Sequence, residues 1–126
     1  MYNEADAKNF VKKFITEVWC EQNINKIAEH YTLDFVGLLN GSETFNYNDL
    51  IKRVEFSKKS FAKNNAEFHD TFVISETRIG ARVSMHRLDF GGNESHVNIF
   101  MVIELAIDKV QKIWLFTDQD YKYKSW

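Results

Sequence analysis

The sequence predicts an α+β fold, on three observations. Apolar residues recur every three to four positions through the first half of the chain. From about Glu67 onward they alternate with polar residues at period two. Helices therefore come first and strands last, which is the order of α+β rather than α/β folds. The expected succession is helix, helix, short strand, helix, then a four-stranded antiparallel meander. Only the three helices are available to cover one face of that sheet. At 126 residues the chain is expected to form one domain, 1–126, with a core of useful size.

Each element has its own signal. From Ala5 to Cys20, the residues Phe10, Val11, Phe14, Ile15, Val18 and Trp19 form one helical stripe. Asn23 can cap a short second helix whose inner face carries Ile24, Ile27, Ala28 and Tyr31. Phe35–Leu39 reads as a short apolar strand ending in a turn at Asn40-Gly41-Ser42. A third helix starts at Asn46 or Asn48 and closes at Asn64-Asn65. It carries Leu50, Ile51, Val54 and Phe61 inward and Lys52, Arg53, Lys58 and Lys59 toward water. Strands follow at about Glu67–Ser75, Ile79–Phe90, His96–Asp108 and Lys112–Tyr123.

Composition excludes several classes of function. Apolar residues are 44% and charged residues 27%, which argues against disorder. The net charge of −2, with no run of Lys and Arg, gives no nucleic-acid footprint. A single cysteine, Cys20, allows no internal disulfide and fits a reducing compartment. The first residues lack the basic and apolar regions of a secretion signal, and no stretch is long and apolar enough to span a membrane. A cytoplasmic location is expected. Four histidines lie apart without metal-ligand spacing, and no nucleotide or cofactor fingerprint appears, so neither a metal nor a cofactor is expected.

The last strand, Ile113-Trp114-Leu115-Phe116-Thr117-Asp118, carries the sharpest functional hint. Alternation puts Trp114, Phe116 and Asp118 on one face. A carboxylate among large aromatics is costly without a partner, water or a task, which suggests a pocket. On the strand before last but one, Ala81, Val83 and Met85 define an apolar face that Arg87 and Asp89 continue. The pair either leaves the core there or stands at the pocket mouth. An inward Arg87 would pair with Asp118, keep it ionised and favour binding of an anion. In the neighbouring strand Val97, Ile99, Met101, Ile103, Leu105 and Ile107 form a core face. Phe100, Val102 and Glu104 lie opposite and are candidates for a dimer interface.

Several local motifs resemble the nuclear transport factor 2-like superfamily, nearest its SnoaL-like branch of polyketide cyclases and ketosteroid isomerases. They are Trp19 closing the first helix; Ile27-Ala28-Glu29-His30-Tyr31-Thr32-Leu33-Asp34; Gly41 ahead of Asn48-Asp49-Leu50; Gly80-Ala81-Arg82-Val83-Ser84-Met85; and Lys112-Ile113 with Trp114-x-x-x-Asp118. The resemblance covers essentially the whole chain. It implies a cone-shaped α+β barrel, with three N-terminal helices packed in a strongly curved antiparallel sheet and an apolar pocket at the open end. It also implies dimerisation through the outer sheet face.

By the same resemblance Asp118 faces the cavity, where desolvation would raise its pKa and suit it to acid/base catalysis. Tyr31 and Arg87 are its candidate orienting partners. Trp19, Phe35, Phe61, Phe72, Trp114 and Phe116 are candidate pocket walls. One departure matters. Val36–Asn40, where ketosteroid isomerases hold their proton-shuttling carboxylate, contains no acid, so steroid isomerisation is not expected. The expected partner is a small apolar molecule, with a homodimer through the sheet. The alternative is a non-catalytic module with a filled core that works through that sheet face.

Overall fold

A computed structural model describes residues 3–118. Asn3 opens helix α1 (Glu4–Phe14) by accepting a hydrogen bond from the Asp6 amide at 2.8 Å, and the helix buries Ala7, Val11 and Phe14. The helix then widens into a π-helical segment, Ile15–Cys20, which buries Ile15 and Val18. Asn23 caps a 3-10 turn, Ile24–Lys26, that runs into the four-residue α2 (Ile27–His30). Helix α3 (Tyr47–Ser60) starts in a full capping box. Asn46 accepts from the Asp49 amide, and the Asp49 carboxylate accepts from the Asn46 amide, both at 2.9 Å.

The sheet has six strands: β1 (Tyr31–Leu39), β2 (Glu43–Asn46), β3 (Phe61–Val73), β4 (Arg78–Asp89), β5 (Glu94–Ala106) and β6 (Lys109–Thr117). Their order is β2-β1-β6-β5-β4-β3, an open sheet rather than a closed barrel. It is also mixed, not antiparallel throughout. The meander from β3 to β6 is antiparallel, but β1 lies parallel to β6, with Gly37 opposite Ile113. The inner face carries Ile79, Ala81, Val83 and Met85 of β4, with Val97, Met101, Ile103 and Leu105 of β5, all buried under the helices. Full burial of one such side chain is worth about 1.5–3 kcal/mol.

Several expected boundaries move. Tyr31 begins β1 instead of closing a helix. Glu43–Asn46, expected only as an approach to the third helix, is strand β2, antiparallel to β1. Helix α3 ends at Ser60, so Phe61 belongs to β3 and not to the helix's inner face. Helix α3 turns Arg53 toward Phe45, its guanidinium carbon 4.3 Å from the ring centre, instead of toward water. Ile107 leaves the core face altogether: it is 95% exposed in the two-residue turn between β5 and β6. The expected stretch of the last strand past 118, with Asp120, lies outside the described residues.

Gly37 lets β1 and β2 close. A Cβ there would come within 2.2 Å of the tip of the Phe45 ring, and Phe45 is itself 5% exposed with its ring centre 5.6 Å from that of Phe35. Gly37→Ala should therefore destabilise the protein by about 1–3 kcal/mol in urea denaturation, the usual cost of overpacking. A loss within about 0.5 kcal/mol, the range of surface changes, would mean that the ring moves aside freely.

Candidate functional site

Between the inner sheet face and the helices lies a cavity of about 80 Å³, partly open to solvent. Helix α1 and the π segment supply Phe14, Ile15 and Trp19, and α3 supplies Leu50 and Arg53. The first two strands supply Tyr31, Phe35, Leu39 and Phe45. The antiparallel strands add Met85 and Arg87, Ile99 and Met101, and then Ile113, Leu115 and Thr117. In β4, β5 and β6 these are the odd-numbered residues, as period-two alternation requires of one face.

Four polar side chains interrupt this apolar wall. Tyr31 is 3% exposed, and its hydroxyl accepts a hydrogen bond from Trp19 Nε1 at 3.2 Å. Burial pushes its phenol pKa far above the usual tyrosine range, so the group stays neutral and protonated. Arg87 is 7% exposed, with its guanidinium carbon 5.1 Å from the centre of the Phe61 ring. Arg53 reaches Glu43 at 3.4 Å while lying over Phe45. Thr117 accepts at its hydroxyl from Asn40 Nδ2 at 3.1 Å, and its amide donates to Asn40 Oδ1 at 2.9 Å. Among the described residues the lining holds no carboxylate.

The sequence-derived candidates divide by strand parity. Tyr31, Arg87, Trp19 and Phe35 line the cavity. Phe61 does not, but lies beneath Arg87. Trp114 and Phe116 are corrected to the opposite, outer face. Their cross-strand neighbours in β5 are Val102 and Phe100, so candidate pocket walls and candidate interface residues share one surface. Phe72 joins them there, 43% exposed and 6.5 Å from Phe100 between ring centres. The inner face of β6 takes Ile113 and Leu115, which lie opposite Ile103 and Met101 of the β5 core face. Trp114 is instead covered by Arg78 and Lys112, 5.2 and 4.8 Å from its ring centre. Glu104, on the same outer face, is held by Arg78 at 2.5 Å within its own chain.

Asp118 is likewise corrected. It is exposed, off the cavity, and its carboxylate accepts from both the amide and the side chain of Asn98, at 3.1 and 2.7 Å. Those donors stabilise the ionised form and hold its pKa below the usual aspartate value. Asn98 links onward through Ser84 Oγ at 2.6 Å to His69, whose Nε2 lies 2.7 Å from that oxygen. Beside this chain His86 stacks on His96, ring centres 4.9 Å apart, and meets Glu67 at 3.0 Å. Among the described residues no three His, Cys, Asp or Glu side chains are grouped to hold a metal ion. No described helix is long and apolar enough to cross a membrane.

Sequence reasoning missed Arg53, which looked like part of a solvated helix face, and the inward residues of β6. The register against Ile103 and Met101 of β5, already read as core, carried the signal for Ile113 and Leu115.

Comparison with known proteins settles the fold. No protein-family model and no curated protein matches the chain by sequence. Solved structures do. AclR, a proposed hydroxylase from Streptomyces galilaeus, superposes with a TM-score of 0.79 at 17% identity, over 94% of this chain and 78% of that one. A proposed polyketide cyclase from Acidithiobacillus ferrooxidans gives 0.75 at 15% identity, over 99% and 96%. A proposed SnoaL-like polyketide cyclase from Jannaschia gives 0.70 at 15% identity, over 91% and 87%. The chain shares its fold with these structures, a SnoaL-like polyketide cyclase among them.

The Asp118 hydrogen bonds make a signed prediction. Because its folded pKa is depressed, its contribution to stability is present above the unfolded value. That contribution is lost as pH falls through the folded one. Asp118→Asn should therefore be less stable than wild type at neutral pH and equal to it in strong acid. Carbon-detected NMR should place the carboxyl titration below 3.8. A titration above that value would contradict the assigned bonds.

Proposed function

We propose that this chain is one ligand-binding SnoaL-like domain that takes a small, largely apolar molecule into the cavity, oriented by Tyr31 and Arg87. One observation carries the reading: a partly open apolar cavity whose wall keeps a buried arginine and a buried, protonated tyrosine. A filled core has no use for either group, whereas ligand sites are apolar with a few placed polar groups. The solved neighbours named as proposed cyclases and a proposed hydroxylase favour the same reading. The size of the cavity limits the occupant. About 80 Å³ is well below the roughly 300–1,000 Å³ of drug-sized sites, so a single ring or a short chain fits. Carboxylate acid/base chemistry has no support in the described lining, so binding, not proton transfer, is the proposed activity.

The outer face supports a second role alongside it, in a homodimer. Phe72, Phe100 and Phe116 are 43%, 38% and 44% exposed and form a continuous row, with ring centres 6.5 and 6.3 Å apart. Exposed aromatic patches of this kind usually meet a partner.

Two experiments test these roles. Single-ring compounds such as benzyl alcohol should raise the melting temperature and change Trp19 fluorescence. Leu115→Trp, which fills the cavity, should fold and abolish both effects. Absence of any ligand effect in the wild type would leave the filled-core module in its place. Phe100→Glu should convert a dimer to a monomer in light scattering. A wild type that is already monomeric at high concentration would retire the dimer.

A further inference from the structure

Aromatic rings and thioethers meet in the lining of the cavity. Phe14, Tyr31, Phe35 and Phe45 stand there as a row, and Met85 and Met101 reach it from β4 and β5; all six are buried. Neighbouring rings in the row lie 6.0, 4.9 and 5.6 Å apart between centres, the first two pairs edge-on and the third tilted. Such a row offers one more ring the same edge-to-face contact that its members make with each other. The chain has three methionines, and the two beyond Met1 both line this space. The other buried apolar residues of β4 and β5 are aliphatic. Polarisable sulfur thus stands at the cavity and nowhere else on that core face. A thioether adapts its shape to a neighbour and is attracted to ring edges, which a leucine is not.

Resting on the reading of this cavity as a ligand site, we infer that its occupant carries a single aromatic ring, seated against the row of rings and the sulfurs of Met85 and Met101. Two properties select an aromatic ring over a saturated one of the same carbon count. Its edge carries partial positive charge and its face partial negative charge, so both the rings and the sulfurs attract it. It is also flat and displaces less volume than a puckered ring, which matters in a space of about 80 Å³ where overpacking is costly. Hydrophobic transfer works the other way. The saturated ring has more apolar surface to remove from water and gains more from burial alone. A preference for the aromatic ring therefore reports on this lining and not on apolarity in general.

Calorimetric titration of the whole chain with benzyl alcohol and cyclohexylmethanol, which differ only in the ring, tests the inference. Methyl NMR of Met85 and Met101 reports where the ligand sits. Benzyl alcohol should bind about fivefold or more tightly, the net of one edge-to-face contact and one sulfur contact against the opposing burial. Its ring current should shift both methionine methyl signals. The double variant Met85→Leu with Met101→Leu conserves volume, so it should fold, bind both compounds and lose most of the preference. Equal binding by the wild type, or tighter binding of cyclohexylmethanol, would overturn the inference while leaving the apolar ligand site standing. So would an undiminished preference in the folded double variant. Binding of neither compound would overturn both, as would benzyl alcohol binding that leaves both methyl signals in place. The wild-type comparison decides the matter even if the double variant does not fold.

Discussion

Two helices and a short helical link have to cover the inner face of six strands, and the site follows from that shortage. Helix α1 with its π extension lies over one part of the sheet, and α3 lies over another. Between them the gap is bridged by aromatic side chains, not by backbone. Phe14 meets Tyr31 edge-on at 6.0 Å, Tyr31 meets Phe35 edge-on at 4.9 Å, and Phe35 meets Phe45 at 5.6 Å. These tilted and edge-to-face pairs are the geometries aromatic rings prefer, and each adds a modest gain beyond its buried area. Where the row of rings ends, no element remains to fill the space, and the cavity is what is left. Trp19, on the π segment, donates to the Tyr31 hydroxyl and ties that segment to β1.

The opposite face has to satisfy itself without helices. It does so with lateral contacts across the strands. Aromatic rings meet from β3 through β5 to β6, and a polar chain runs from His69 through Ser84 and Asn98 to Asp118. Ion pairs between neighbouring strands, Arg82 with Asp70 and Arg78 with Glu104, complete the pattern. Each exposed pair is worth little alone. The outer edges are guarded differently. Strand β2 is only four residues long, while β3 is long, interrupted by bulges and dotted with Lys63, Glu67 and Asp70. Short, bulged and charged edges are poor templates for pairing with another sheet.

Much of this was legible in the sequence, and the failures have physical causes. The change of period from 3.6 to 2, the Asn23 cap, a cap at Asn46 or Asn48, and the inner faces of β4 and, short of Ile107, β5 could be read directly, because each is a local pattern. The parallel pairing of β1 with β6 could not, since nothing near Gly37 encodes a partner as far along the chain as Ile113. Strand β2 was hidden by its polar sequence, Glu43-Thr44-Phe45-Asn46, in which only Phe45 faces inward. The site was lost at one step of parity. In β6 both faces are apolar, so alternation could not say which was inside, and the eye follows the larger residues. Trp114 and Phe116 are larger than Ile113 and Leu115, yet the register puts the smaller pair inside, opposite Ile103 and Met101. Asp118 went outward with the tryptophan whose face it shares.

The turn from β5 to β6 shows where the register of the last hairpin comes from. Ile107 and Asp108 both have left-handed backbones, with φ of 51° and 60°, as a two-residue hairpin of this twist demands. A β-branched isoleucine is a poor occupant of that conformation, at a cost of about 1–2 kcal/mol. Its side chain recovers nothing, because it stands 95% in water. The turn itself therefore adds little to the stability of the hairpin. Its register must be imposed from above by Leu105 against Val110 and Ile103 against Ile113, pairs that gain their energy only when the helices close over them. The β5–β6 junction is thus held by the core that closes over it and not by its own turn, and the strand that walls the cavity owes its register to that core.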